Sequence, residues 1–191
     1  MRIGFYAPLK SPFSDSASGD RTLARLLIRA FEISGHEVLL MSEFRSLSIS
    51  GDAFQQQDIA LQGQKIVSDM LDDPNHMVHS IDIWLTYHLY HKAPDWLGPQ
   101  ASEALNIPYV ITEASYAPKQ VTGPWQRGLR QVEKCLAVAS GVISLNPRDV
   151  DCIQSLLRPN VQQLLLNPFV ADSPDFSDSS ESTKKIISGK Y

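Results

Sequence analysis

Six apolar runs of strand length recur along this chain, and a helical pattern separates each from the next. They are 2–7 (RIGFYA), 36–41 (HEVLLM), 81–87 (IDIWLTY), 108–112 (PYVIT), 141–145 (GVISL) and 161–166 (VQQLLL). Several carry apolar residues at consecutive positions, so both faces of the strand need cover, which helices on each side of a parallel sheet supply. Alternation of this kind, joined by right-handed crossovers, predicts an α/β fold: a doubly wound, Rossmann-like parallel sheet with helices on both faces. The first helix is expected over 20–34, where Leu23, Leu26, Leu27, Ala30 and Phe31 fall at helical spacing between an N-cap, Ser18, and a stop, Gly35. Further helices are expected over 58–71, 95–105, about 124–139, and 147–157. Pro147 suits a first helical position, because its missing N–H would have no partner there.

With 191 residues the chain is long enough for one well-cored domain. Residues 1–172 are assigned to it. Residues 173–191 form a polar tail in which 177–182 are Ser, Asp and Glu alone, a composition that cannot bury enough surface to order itself. The 43% hydrophobic and 20% charged content belongs to a soluble globular protein, and a net charge of -4 gives no electrostatic reason to expect nucleic acid. The opening MRIGFYAP is too short and too soon broken by Pro8 to be a signal peptide's apolar core, and no later stretch approaches a membrane-spanning length. A cytoplasmic location, with at most peripheral membrane association, is the expectation. Cys135 and Cys152 fall in expected helices with no CxxC and no His at metal spacing, and read as buried or idle thiols.

Between the first strand and the first helix runs a long small-residue loop, APLKSPFSDSASG. Loops of that length in compact domains are uncommon unless they serve a function. This one lies at the carboxyl end of a strand, where open α/β sheets bind ligands. The helix that follows offers N–H groups and a positive dipole end to an anion. Neither GxGxxG nor GxxxxGK[ST] is present, and Gly19 stands alone, which disfavours a dinucleotide fingerprint or a P-loop and leaves anion or sugar binding as the candidate. Arg21, Arg25 and Arg29 share one helical stripe, read as a solvated face from which Arg21 alone is placed to reach the loop.

The segment TYHLYHKAPDWLGP (86–99) sets His88, His91, Lys92, Asp95 and Trp96 within ten residues. Two histidines three apart can begin a metal site, but no third ligand stands at characteristic spacing, so no metal is expected. A polar and aromatic cluster at a strand's carboxyl end can grip a sugar by stacking and hydrogen bonding; packing histidines are the plainer alternative. After the next strand, TEASYAPKQVTGPW (112–125) brings Glu113, Ser115, Tyr116 and Lys119. Glu113 either orients or deprotonates a hydroxyl, or caps the following turn or pairs with Lys119. LNPRD (145–149) places Asn146 and Arg148 at a third strand end, where Arg148 clamps a phosphate or simply sits in a helix's first turn.

Taken in order, MRIGFYAPLKSPFSDSASGDR, TYHLYHKAPDWLGP, IPYVITEASYAPK, GVISLNPRD and LLNPFVAD resemble the amino-terminal half of bacterial GT-B glycosyltransferases. The family in question is the large retaining one that includes many lipopolysaccharide and exopolysaccharide enzymes, and the resemblance spans about residues 1–172. It implies two Rossmann-like domains facing across a cleft, the first binding the acceptor and the second the nucleotide-sugar. It further implies a hexosyltransferase of polysaccharide biosynthesis, acting on a glycan or lipid-linked acceptor, with a nucleotide-sugar as co-substrate and no metal or other cofactor. Ser18 and Gly19 match the place of two adjacent glycines beside the donor phosphates, which with Asp20 and Arg21 implies contact with the nucleotide-sugar. His88 matches a histidine on the cleft side of a central strand end, while Thr112, Glu113 and Ala114 stand where many members carry another histidine. His88 and Glu113 are therefore the catalytic candidates. His91, Lys92, Trp96, Tyr116, Lys119, Asn146 and Arg148 are the substrate-binding ones.

LLNPFVAD resembles the crossover into the second domain, for which about 170 further residues are expected; 19 follow residue 172. The resemblance thus implies a truncated relative, or half of a split enzyme whose donor-binding part is a separate chain, inactive by itself. A non-catalytic sugar-binding or partner-binding module is the alternative.

Overall fold

A computed structural model describes residues 1–167 and Phe169. The elements run β1 (Arg2–Tyr6), α1 (Gly19–Ile33), β2 (Glu37–Ser42), α2 (Ala53–Asp72), β3 (Ile83–Leu89), α3 (Gly98–Leu105), β4 (Tyr109–Ala114), α4 (Gln126–Val138), β5 (Gly141–Ser144), α5 (Pro147–Gln154) and β6 (Gln162–Leu165). They form one six-stranded sheet in the order β2-β1-β3-β4-β5-β6, and each neighbouring pair is parallel. The α/β architecture expected from the alternation is the one that forms. The expected boundary at residue 172 and the polar tail lie outside the described residues.

Strand order dictates how the helices are shared between the faces. The chain steps one way from β1 to β2 and the other way at every later crossover, so right-handed connections place α1 on one face and α2 to α5 on the other. The core divides accordingly. Ala24, Leu27 and Ile28 of α1 pack with Ile3, Phe5, Leu85 and Tyr87. Val67, Ala101, Val132, Leu136 and Ile153, drawn from α2, α3, α4 and α5, pack with Trp84, Ile111 and Val142. The reversal falls between β1 and β3, whose following loops leave toward opposite faces and open a crevice between them. The central strands are buried on both sides, whereas Leu164 and Leu165 of the edge strand β6 are exposed.

Capping explains where the helices depart from their expected limits. Ser18 Oγ accepts from the Arg21 amide at 3.2 Å, and Gly35 takes a φ of +80° beyond the end of α1, both as the sequence suggests. Helix α2 begins ahead of its periodic stretch because Asp52 Oδ1 accepts from the Gln55 amide at 2.7 Å. Helix α3 begins later than expected because Asp95 turns inward. Its fully buried carboxylate accepts from the amides of Leu97 (2.7 Å) and Gly98 (2.8 Å), from Thr86 Oγ1 (2.5 Å) and from the Tyr109 hydroxyl (3.0 Å). Burial pushes this carboxyl above its ordinary range, and those four hydrogen bonds oppose the shift. The Asp95 carbonyl also accepts from Gln131 Nε2 at 2.7 Å and from Cys135 Sγ at 3.4 Å, so one residue ties together β3, α3, β4 and α4. Cys135 is buried and Cys152 exposed, both reduced.

Candidate functional site

At the carboxyl edge of the two central strands the backbone leaves the extended region twice, at one level. His88 has φ 60° and Glu113 has φ 62°. Tyr87 pairs with Thr112 and Leu89 with Ala114, which puts His88 and Glu113 on the same rung of the β3–β4 ladder. A side-chain-bearing residue in this left-handed region costs about 1–2 kcal/mol. Because the two departures are matched, the ladder closes again beyond them, with the Ser115 amide donating to the Leu89 carbonyl at 2.9 Å.

His88 is held by a residue from the far side of the crevice. Its Nδ1 lies 2.9 Å from Oδ1 of Asp20, the second residue of α1, and their side chains keep 21% and 37% of their exposure. The imidazole meets the rings of both Tyr87 and Tyr90, at centroid distances of 5.9 and 5.3 Å. Glu113 lies near Tyr87, whose phenol is pushed well up by burial first and by the Glu113 and Asp20 charges next. Glu113 Oε2 is sealed from solvent with no hydrogen-bond partner among the described residues. From the first turn of α5, Asp149 accepts from Ser115 Oγ at 3.4 Å; desolvation raises its carboxyl, while Ser115 and His88 pull it back. Carboxylates from α1, β4 and α5 therefore gather about one imidazole flanked by tyrosines. Such a set of acceptors suits the hydroxyls of a polar ligand better than it suits an anion.

The loop leading to α1 is pinned in place. Arg21 Nη1 donates to the carbonyls of Ser14 (2.9 Å) and Asp15 (3.4 Å), Arg25 Nε to Pro12 (2.7 Å) and Arg45 Nε to Leu9 (3.0 Å). Ser11 Oγ adds a bond to Glu43 Oε1 at 2.9 Å. Two of the three arginines in the α1 stripe thus hold loop carbonyls, which corrects the expectation that the stripe is a solvated face reaching the loop through Arg21 alone. Only Arg29 keeps to the helix surface, 3.8 Å from Glu32. Of the loop candidates, Ser18 caps α1, Gly19 has open space around its Cα, Asp20 turns to His88 and Arg21 is engaged by the loop.

The other candidates have separate partners, although the His91 ring meets Tyr90 of this cluster edge-on at 5.5 Å. His91, Lys92 and Trp96 line a separate cavity of about 10 Å³ with Ser46, Gln56 and Gly128, room for about one water. Lys92 Nζ stands 4.4 Å over the Trp125 ring, and Trp125 Nε1 donates to the Ser48 carbonyl at 2.8 Å. Burial, then the Lys92 charge, lowers the His91 pKa. Trp96 is 8% exposed and packs on Gly63, where α2 passes too close for a Cβ. That burial leaves little of the indole face for a ligand, whereas Trp96 was expected among the substrate-binding residues. Tyr116 donates to Glu133 Oε1 at 2.9 Å, and Lys119 is exposed on the short 3-10 turn Pro118–Gln120. Asn146 caps α5 by accepting from the Arg148 amide at 3.1 Å, which leaves the Arg148 side chain exposed in the first turn.

Asp149 was not among the sequence candidates, although its signal was present. In NPRD, an Asn cap followed by Pro puts the third residue after the cap in the first helical turn, beside the strand ends. Among the described residues no three His, Cys, Asp or Glu side chains converge to hold a metal ion, and no helix is long and apolar enough to cross a membrane. No protein-family model and no curated protein matches the chain.

Proposed function

We propose that this chain is the acceptor side of a glycosyltransferase of the two-domain GT-B type, holding a glycan or lipid-linked acceptor while a sugar is delivered from a nucleotide-sugar. The observation that carries this is the matched left-handed pair His88 and Glu113 at the crevice where the sheet's connections reverse. Backbone strain is retained where function requires a side chain in a place that extended backbone cannot offer. Here it presents an imidazole and a carboxylate side by side, with Asp20, Asp149 and Tyr90 around them, a set able to engage several hydroxyls of one sugar.

The guanidiniums of Arg21 and Arg45 are engaged by loop carbonyls, which leaves Arg148 as the exposed arginine among the candidates for a diphosphate. The proposal includes a donor-binding half on a separate chain or further domain, with the nucleotide-sugar as co-substrate. A cytoplasmic protein of polysaccharide biosynthesis, in at most peripheral contact with the membrane, accompanies this proposal. The same engaged arginines also favour a second possibility, a sugar-binding module with no turnover of its own.

Titration of the isotope-labelled chain with a panel of short oligosaccharides and alkyl glycosides tests the proposal. The expected result is amide shifts centred on Asp20, His88 and Glu113, with no transfer from labelled nucleotide-sugars by the chain alone. Binding confined to another surface, or to none across the panel, overturns the acceptor role. Turnover by the chain alone would place a donor site within it.

A further inference from the structure

We infer that the edge strand β6 is a docking surface for a second copy of this chain, whose own β6 pairs with it antiparallel across a two-fold axis at Leu165. The strand ends the sheet beside β5. Its three consecutive leucines are exposed, Leu164 by 56%, Leu165 by 47% and Leu166 by 37%. Edge strands that stay unpaired in solution are usually protected by a charge, a proline or a bulge. Strand β6 has none of these: residues 159–167 carry no charge, Pro159 lies outside the strand, and the register with β5 runs without a shift. The adjoining Arg158 is held by the carbonyls of Val138 and Ala139. At the opposite edge of the sheet, Leu39, Leu40 and Met41 of β2 are buried and Glu37 and Glu43 flank them, so β6 is the edge left open.

Register fixes the face on which each leucine lies. Tyr87, Thr112, Ile143 and Leu164 stand side by side across β3 to β6, and Tyr87 belongs to the core beneath α1. Leu164 and Leu166 therefore lie on the α1 side of the sheet and Leu165 on the other. The Leu166 amide donates to the Ser144 carbonyl at 2.8 Å. Backbone groups alternate in direction along a strand, so Leu164 and Leu166 turn theirs toward β5, while Gln163, Leu165 and Asn167 turn their N–H and C=O outward.

A two-fold axis at Leu165 meets both requirements, apolar and polar. Leu165 of each copy exchanges N–H to carbonyl bonds with Leu165 of the other, and Gln163 exchanges them with Asn167 of the second copy. Leu164 then lies opposite Leu166 of the second copy on the α1 side, and the two Leu165 side chains meet on the other, so leucine faces leucine at all three positions. Moving the axis to Leu164 or Leu166 would instead set Leu165 against Gln163 or Asn167. Phe169 packs toward the core beneath α1, so the ladder is short and the dimer is expected to dissociate on dilution. Both open edges are used in one symmetric contact, which stops the assembly at two copies.

Sedimentation of the full chain over a dilution series tests the pairing. The expected result is a dimer that gives way to monomer, with no larger species. Leu165→Lys, at an exposed position, is expected to stay monomeric with an unchanged circular dichroism spectrum. The register has its own readout in a chain carrying Cys152→Ser, which removes the exposed native thiol. Leu165→Cys in that chain should form an interchain disulfide on mild oxidation, because the opposed Cα atoms of a hydrogen-bonded pair stand about 5.5 Å apart, within a disulfide's reach. Gln162→Cys, at an equally exposed position, should not, since its two copies would lie about 20 Å apart along the strands. A wild-type chain that is monomeric at every concentration overturns the pairing, as does a Leu165→Lys variant as dimeric as the wild type. Equal crosslinking at positions 162 and 165 overturns it too.

Discussion

His88 and Glu113 occupy one rung of adjacent parallel strands and share the same left-handed backbone, φ 60° and 62°. A left-handed residue turns a strand out of its extended path. Two at the same level let β3 and β4 resume pairing at Leu89 and Ala114. The strain is therefore built into both strands together, at the crevice the fold provides for a ligand.

Glycine should tolerate these two positions better than alanine. In an ordinary strand, alanine is the more stable by about 0.5–1 kcal/mol; where φ is positive the order reverses. His88→Gly and Glu113→Gly are each expected to be about 1 kcal/mol more stable than the corresponding alanine variants in urea unfolding. All four should lose the oligosaccharide-induced shifts. Alanine variants as stable as the glycine ones would show that the strand ends are extended in solution.

Asp95 should behave as a structural residue. Asp95→Ala strands Thr86, Tyr109 and the amides of Leu97 and Gly98 in the core, which is expected to remove about 3 kcal/mol or more. Gly98→Ala forces a methyl against Trp84 and Tyr109 and should remove about 1–3 kcal/mol. Denaturant midpoints measure both, and losses well under 1 kcal/mol would contradict the network.

Removing one loop pin should act locally. Arg21→Ala frees the carbonyls of Ser14 and Asp15. Hydrogen exchange in residues 11–16 should then quicken while global stability changes by about 1 kcal/mol or less, since the lost bonds lie near the surface. Unaltered exchange there would mean that the other contacts suffice to hold the loop.

Acid should weaken the fold through His91. Its folded pKa is lowered by burial and by Lys92, so as pH falls through the ordinary imidazole range, about 6.5, the unfolded chain takes up a proton that the native state resists. Stability from this group is present above that range and is lost as pH falls; His76, also lowered, acts with the same sign. Asp95 and Asp149, both raised, act with the opposite sign, losing stability as pH rises from the ordinary carboxyl range. The difference between the wild-type chain and His91→Gln isolates the histidine. Melting temperature is expected to fall less for the variant between about pH 8 and about pH 5.5, and parallel curves would exclude the contribution.

The element order, the α/β class and the limits of α1 were legible in the sequence, because each rests on interactions a few residues long. The spacing of Leu23, Leu27 and Phe31 marks one face of a helix, Ser18 reaches an amide three residues on, and Gly35 adopts a backbone that other residues resist. It also put His88 and Glu113 at strand ends. It could not show that Trp96 turns into the core against Gly63, that Asp95 caps α3 from inside, or that two α1 arginines face the loop. Those depend on contacts made in the folded chain, and the site itself depends on them too. The Asp20–His88 bond joins residues 68 apart, and the matched left-handed pair joins two strands. Both exist only when β1 and β3 lie side by side and β4 is in register, because the energy that holds them comes from contacts between segments distant along the chain.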